Sequence, residues 1–265
     1  MTEPVRLPTS ADVLVGGVSE LFQRDLDIGR LVVERLGEED LGPGVVVEEL
    51  HYGAIAVAQR LEDLRPSVLV LVSAVVRGRA AGTVERRRLD PPVLTPADVQ
   101  VAVGDAVTGY VHPDLVVEIA SALGALPART VTVEVEPEIV GPGEGLSVSA
   151  TAALEVALEL VRVEVRRAPL LALAAELRLL LEGDRLEAST ALAALHELLA
   201  ELVHLDRDGR WGHAFALRDR LRLGIAGSAS SEGMDPRDWA LWWALIEELD
   251  RLGAAEAVPT QATPG

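Results

Sequence analysis

Apolar and polar positions alternate along the first 167 residues in the pattern of β-strands separated by α-helices. Five short runs predict strands, and the third of them, SVLVLV, is continuously apolar, which is typical of a strand buried on both faces. The predicted strands are 13–17, 45–50, 67–72, 83–89 and 129–136. Apolar residues at three- and four-residue spacing predict helices at 27–36, 54–64 and 113–123, and a long helix containing Leu154, Leu158, Val161 and Val165. Strands that alternate with helices indicate an α/β fold, a three-layer sandwich with a mostly parallel sheet.

Two stretches that carry proline interrupt this pattern. Pro91, Pro92 and Pro96 predict a loop over 89–100, directly after an edge strand in which charged and apolar residues alternate. The second stretch, Arg-Arg-Ala-Pro at 166–169, ends the alternation of strands and helices. The segments that follow predict a C-terminal all-α domain with helices at 170–181, 185–205, 211–223 and 236–252.

These patterns divide the chain into four parts. We expect a flexible tail at 1–10, an α/β domain at 11–167, a helical domain at 168–253 and a disordered tail at 254–265. The helical domain contains Trp239, Trp242 and Trp243 within five residues of one predicted helix. Trp242 and Trp243 differ by ~100° about the helix axis, so one of them is a candidate to face outward. Because exposed tryptophan is enriched at interface hot spots, the three form a candidate partner surface, with core packing as the alternative.

Composition and charge exclude several classes of function. The net charge of −18 argues against a nucleic-acid partner, because phosphate contacts need clustered basic residues. The chain has no cysteine, which excludes a thiolate metal site and a thiol nucleophile. The first residues lack the basic segment and apolar core of a secretory signal, and no apolar run reaches the ~18 residues of a membrane helix. We therefore expect a cytoplasmic protein without a membrane span.

The most informative stretch is 13–29, VLVGGVSELFQRDLDIG, a predicted strand, loop and helix start. It resembles the hydrogenase maturation proteases, endopeptidases that trim the C-terminus of the large subunit of NiFe hydrogenases. Their loop reads roughly G-x-G-N-x-(L/F)-x-x-D-(D/E)-G-x-G, and the second acid of the pair is a metal ligand. Further landmarks recur in order, namely a Gly-Thr pair at 82–83, Val-Glu-Pro at 135–137 and Gly-Glu-Gly-Leu-Ser at 143–147. The resemblance covers roughly 13–165 and implies the same α/β fold.

The resemblance also implies three metal-ligand positions, and none of them keeps a ligand. The acid of the first loop is replaced by Leu26, the Asp after the third strand by Ser73, and the His before the third helix by Gly109. A nickel-recognising site needs imidazole or carboxylate ligands that converge on one point. We therefore predict no catalytic residue, no bound metal and no cofactor, while a relocated site stays open as an alternative.

Five polar residues are cleft candidates for such a relocated site, because ligands bind at the carboxyl ends of the strands in open α/β sheets. They are Asp25, Asp27, His51, Asp105 and His112. Four of these residues also have a structural interpretation. Asp25 is typical of a loop or helix-cap residue, and Asp27 is typical of an acid in the first turn of a helix, where it complements the helix dipole. The two histidines are typical of surface, capping or hydrogen-bonding positions.

The preferred interpretation is a factor in NiFe-hydrogenase maturation or assembly that binds a hydrogenase subunit without cutting it. The partner would be the hydrogenase large subunit or another hydrogenase assembly protein. Two alternatives stay open: an active endopeptidase with relocated ligands, and a structural subunit of an unrelated assembly. The sequence does not decide whether peptidase activity remains. The helical domain could bind a partner, form a homo-oligomer or cap an apolar face of the α/β domain.

Overall fold

The computed structural model describes residues 12–107, 109, 111–183, 190–227 and 236–256. The predicted tail at 1–10 lies outside the described residues. The chain divides into two compact units, with Val165 the last residue of the first and Arg166 the first residue of the second. The sequence placed the boundary two residues later.

The first unit is a five-stranded sheet covered by helices. Its strands are β1 (Val13–Gly17), β2 (Val45–Glu49), β3 (Val68–Ala74), β4 (Val84–Leu89) and β5 (Arg129–Val135). They lie in the order β2-β1-β3-β5-β4, and only the pairing of β4 with β5 is antiparallel. The helices are α1 (Ile28–Gly37), α2 (Ala54–Leu64), α3 (Pro96–Ala106), α4 (Pro113–Ala122) and the first part of α5 (Val148–Gly183). The predicted α/β sandwich with a mostly parallel sheet and an edge strand at β4 is confirmed.

Alternate residues of the strands reach opposite faces of the sheet. Leu14, Leu69 and Leu71 are completely buried against α2, α3 and α4, and each such side chain contributes about 1.5–3 kcal/mol to folding. Helix α1 packs against β1, β2 and β3. Because β1, β3 and β5 run parallel, the loops after their carboxyl ends gather at one end of the sheet, where ligands bind in open α/β folds.

The prolines of 89–100 do not make the whole stretch a loop, because α3 begins at Pro96. The Thr95 hydroxyl accepts a hydrogen bond from the Asp98 backbone nitrogen at 3.3 Å, and the Asp98 carboxylate accepts one from the Thr95 nitrogen at 2.8 Å. This reciprocal pair is a capping box, and proline is favoured in the first helical position since no partner is needed for its missing N–H. The prediction was wrong because it took a helix-starting proline for a breaker.

The helix predicted to contain Val165 and the helix predicted at 170–181 are a single helix, because α5 runs without interruption through Pro169. Proline inside a helix costs about 3 kcal/mol through a lost hydrogen bond and a clash with the preceding turn. Leu158 and Val161 before it, and Leu170 and Ala174 after it, are all buried. Apolar burial on both sides of the proline outweighs its local cost.

The second unit is all-α, as predicted. Beyond the end of α5 it contains α6 (Thr190–Asp208), α7 (Ala214–Gly227) and α8 (Pro236–Glu256), which share one apolar core with Trp242 among its largest buried side chains. Helix α8 continues into the predicted tail at 254–265, because the buried Leu249 and Leu252 anchor its last turns. Residues 257–265 of that tail lie outside the described residues. In the part of the chain that the structure describes, no helix has both the length and the apolar content of a membrane crossing.

Candidate functional site

A pocket of about 400 Å³ opens at the carboxyl end of the sheet in the first unit. Its walls are the loop after β1, the end of β3, the segment before α4 and a residue of the loop after β5. Eight of its twelve lining residues are apolar, and the four polar ones are Ser19, Glu20, Gln23 and His112. An apolar cavity with a few polar groups is the usual form of a binding site.

The three ligand positions implied by the family resemblance lie at or beside this pocket. Leu26 lines it with an aliphatic side chain. Ser73 is buried next to the lining residue Ala74, and its hydroxyl has no hydrogen-bond partner. Gly109 lies exposed, two residues before the lining residue Val111, in the left-handed region at φ 79°. These residues do not fit a metal ion, and among the described residues no three His, Asp or Glu side chains are grouped closely enough to hold one.

Asp25 is completely buried and holds two loops together. Its carboxylate accepts hydrogen bonds from the backbone nitrogens of Glu138, Ile139 and Ser147 at 2.9, 2.8 and 2.7 Å, and from the Ser147 hydroxyl at 2.8 Å. Burial alone raises the pKa of Asp25, but these hydrogen bonds outweigh it and lower the pKa below its ordinary value. Asp25 therefore joins the first loop to segment 138–147, and it does not line the pocket.

Backbone contacts strengthen the same junction. Arg24 donates its N–H to the carbonyl of Gly143 at 3.2 Å, and Gly143 donates to the carbonyl of Phe22 at 2.8 Å. Phe22 and Arg24 have φ of 61° and 50°, a conformation that costs a non-glycine residue about 1–3 kcal/mol. A Cβ on Gly143 would come within 2.7 Å of the Arg24 side chain. The contacts around Asp25 thus impose a loop conformation that the local sequence disfavours.

Two of the remaining candidates are engaged away from the pocket. Asp27 forms an ion pair with Arg30 at 2.6 Å, at the start of α1. The His51 imidazole, 44% exposed, lies 3.2 Å from the carboxylate of Glu49 at the end of the outer strand β2. Neither side chain lines the pocket.

His112 is the cleft candidate that does line the pocket. Its Nδ1 accepts a hydrogen bond from the Leu115 nitrogen at 3.2 Å, so the side chain also caps α4. Asp105 lies exposed in the last turn of α3 and does not line the pocket. Leu26 and His112 therefore line the same pocket, whereas Asp25, Asp27, His51 and Asp105 do not line it.

Sequence reasoning missed a charge network built around Arg77, the residue after the pocket-lining Val76. Its guanidinium binds Asp114 at 2.7 and 2.8 Å and Glu134 at 2.9 and 3.1 Å. Hydrogen bonds with Asp114 and then Glu134 raise the pKa of Arg77, and Arg77 lowers the pKa of Asp114. Glu134 could have indicated this network. It is an acid in a strand where every residue is buried, and a buried charge needs a partner.

Exposed apolar side chains lie on the loops that line the pocket, and we call them the apolar rim. They are Leu21, Phe22, Val76, Ile139 and Val140, with exposed fractions between 39% and 66%. Val76 and Val140 also line the pocket, and the others neighbour lining or loop-junction residues. Exposed apolar groups gathered around a cavity mark an interaction site.

Within the described part of the chain, Trp243 is the one tryptophan of the predicted partner surface that is exposed. Trp242 is 1% exposed in the core of the helical unit, so its assignment to a partner surface was wrong. Trp243, one position further along α8, is 39% exposed, as the 100° rotation per residue allows. The side chain of Trp239 lies outside the described part of the chain.

No protein-family model and no curated protein matches this chain. Solved structures do match. The hydrogenase maturating endopeptidase HybD from E. coli shares 26% identity at a TM-score of 0.44, over 59% of this chain and 93% of that one. An endopeptidase from Escherichia coli shares 24% identity at a TM-score of 0.47, over 58% of this chain and 91% of that one. The hydrogenase 2 maturation peptidase from a Thaumarchaeota archaeon shares 23% identity at a TM-score of 0.40, over 56% of this chain and 94% of that one. Over 56–59% of its length, the chain is similar to solved structures of hydrogenase maturation endopeptidases.

Proposed function

We propose that this protein is a hydrogenase maturation or assembly factor that binds a hydrogenase subunit at the pocket and does not cleave it. The observation that carries the proposal is Leu26, an aliphatic residue in the pocket at the position of an acidic ligand. With Ser73 buried and Gly109 without a side chain, the pocket offers no set of donors for a nickel-recognising centre. The means of recognising a metal is lost while the cavity is kept.

The pocket and its surroundings favour binding. The cavity is mostly apolar and is bordered by the apolar rim, which gives a polypeptide partner apolar surface to cover. The loops that carry Phe22 and Val140 are fixed through Asp25, so little ordering entropy is lost when a partner binds. The choice of a hydrogenase large subunit, or another hydrogenase assembly protein, as the partner follows from the resemblance of the loop motifs. The proposal places this step in the cytoplasm.

A relocated peptidase site has little support in this geometry. The carboxylate of Asp25 already accepts four hydrogen bonds, and Asp27 is paired with Arg30. His51 lies at the end of the outer strand, and His112 caps α4. Their side chains do not converge on one point, as metal-assisted hydrolysis would require.

The experiment compares binding by two rim variants and a matched control. Phe22→Asp and Val76→Asp each place a charge on the apolar rim, and aspartate is one of the residues that tolerate the positive φ of position 22. Val93→Asp makes the same kind of change at a residue that is 98% exposed and does not line the pocket. Binding to nickel-loaded large-subunit precursor is measured by surface plasmon resonance.

We expect both rim variants to weaken binding at least about tenfold and the control to change it by less than about twofold, because apolar anchors dominate interface energy. Equal affinity of all variants would show that the partner binds elsewhere. If neither the precursor nor another hydrogenase assembly protein binds, the proposal is wrong, and a structural role in an unrelated assembly becomes the favoured alternative.

A further inference from the structure

Arg77 connects two walls of the pocket through a doubly bidentate contact. One edge of its guanidinium binds both oxygens of Asp114, in the first turn of α4, at 2.7 and 2.8 Å. Its Nε and Nη2 bind both oxygens of Glu134, on β5, at 3.1 and 2.9 Å. Forked contacts of this kind fix orientation as well as distance, because the guanidinium is planar and rigid.

The backbone at Arg77 is held as firmly as its side chain. The carboxylate of Glu136 accepts the backbone N–H groups of Arg77 and Gly78 at distances between 2.9 and 3.1 Å. Glu134 and Glu136 are 2% and 4% exposed, so water competes little for these contacts. The chain after β3 is therefore fixed to β5 through the main chain of Arg77 and Gly78 and the side chains of Arg77 and Arg79.

These contacts join residues next to the pocket lining. Val76, which lines the pocket at the end of β3, precedes Arg77, and Pro113, which lines it at the start of α4, precedes Asp114. Moving α4 away from the end of β3 would break the Arg77–Asp114 fork and leave Asp114 without its arginine partner, while Arg77 stays bound to Glu134. We propose that Arg77 is a positioning residue that sets the separation of these two walls, so that the pocket is formed in advance without a bound ion. Its use by a partner rests on the proposed function; the bracing of the walls does not.

Arg87 provides a matched control. It donates to the same Glu134 at 3.1 Å, from the edge strand β4, but it does not hydrogen-bond to Asp114. Arg87→Gln and Arg77→Gln each remove one positive charge from Glu134. Only the second cuts the link to α4.

The experiment measures the distance between the two walls in the full chain. The protein has no cysteine, so Val76→Cys and Glu118→Cys on α4 place two spin labels at unique sites. Electron–electron double resonance then gives the distribution of distances between the labels. It is recorded for this background and for the same background with Arg77→Gln, Arg77→Lys or Arg87→Gln, each with and without chelator.

We expect a single narrow distribution in the background and in Arg87→Gln, unchanged by chelator. Arg77→Gln should lose the narrow peak. Arg77→Lys should stay broader than the background, because an ammonium keeps the charge but cannot bind two carboxylates as a fork. A narrow distribution in Arg77→Lys equal to the background would mean that Arg77 only neutralises charge, and it would overturn the positioning role. Three other results would also overturn that role: equal broadening in Arg87→Gln, an unchanged distribution in Arg77→Gln, or a background peak that disappears with chelator.

Partner affinity separates this inference from the proposed function. If the precursor binds the parent chain, Arg77→Gln should weaken binding by about tenfold through lost preorganisation, and Arg87→Gln should not. A broad label distribution with unchanged affinity would overturn the role of the brace in binding. If no partner binds the parent chain, the proposed function fails, and the label distances alone decide the role of Arg77.

Discussion

The carboxylate of Asp25 lies 2.7 Å from the backbone nitrogen of Ser147, a residue 122 positions later in the chain. The same carboxylate accepts the Ser147 hydroxyl and two further backbone N–H groups. One buried acid therefore sets two of the three segments that carry the apolar rim. The loop frame resembles a catalytic one, but its retained acid has a structural role.

Replacing Asp25 with Asn should destabilise the first unit by about 1.5–3 kcal/mol or more. The substitution removes the charge from several charge-assisted hydrogen bonds and points an amide donor at backbone donors. Asp27→Asn is the control, because its ion pair with Arg30 is partly exposed and is worth about 0–1 kcal/mol. Urea unfolding measures both changes. Equal stabilities of the two variants would contradict the role assigned to Asp25.

The same contacts predict how stability depends on pH. The pKa of Asp25 is lower in the folded protein than in the unfolded chain, so the unfolded state binds the proton more readily. This contribution is fully present above the unfolded value of about 4 and is lost as pH falls through the folded value. The slope of unfolding free energy against pH below about 4 should be smaller in Asp25→Asn than in the parent. An identical slope in both proteins would show that Asp25 does not contribute to acid unfolding.

Much of the fold follows from local patterns, whereas the contacts that shape the site do not. Continuous or alternating apolar runs are visible in the sequence, so the five strands were predicted within one or two residues of their ends. The capping pair of Thr95 and Asp98 is local, and it could have identified the start of α3. The partners of Asp25 lie more than 110 residues away, and Arg77 meets acids from two distant elements. Such contacts exist only after the sheet has assembled.

Ser73 tests whether an acid is compatible with this protein at one of the former ligand positions. Its hydroxyl is buried without a partner, and in the register of β3 and β5 it lies opposite Glu134. Ser73→Asp should destabilise the first unit by about 3 kcal/mol or more, because it buries an unpaired charge beside another acid. Ser73→Ala should be neutral or stabilising, since it removes an unsatisfied hydroxyl. Thermal and urea unfolding check both, and a fully stable Ser73→Asp protein would mean that this position still accepts a ligand.

Titration with nickel and zinc should show no site of micromolar or tighter affinity. The reason is that Leu26 and Gly109 supply no ligand atom and Ser73 supplies only a buried neutral hydroxyl. Isothermal titration calorimetry on the full chain measures this directly. A tight site that disappears in His112→Ala would reverse this conclusion and would favour the relocated-site alternative, because His112 lines the pocket.

The central claim is that the protein holds its partner without cutting it. The most direct measurement is native mass spectrometry of the chain mixed with nickel-loaded hydrogenase large-subunit precursor, followed by the denatured masses of both components. Leu26 in place of an acidic ligand predicts a complex whose mass is the sum of the two intact chains, with the precursor's C-terminus retained. A precursor that loses its C-terminal segment in the presence of this protein, and keeps it when the protein is left out, would contradict the account.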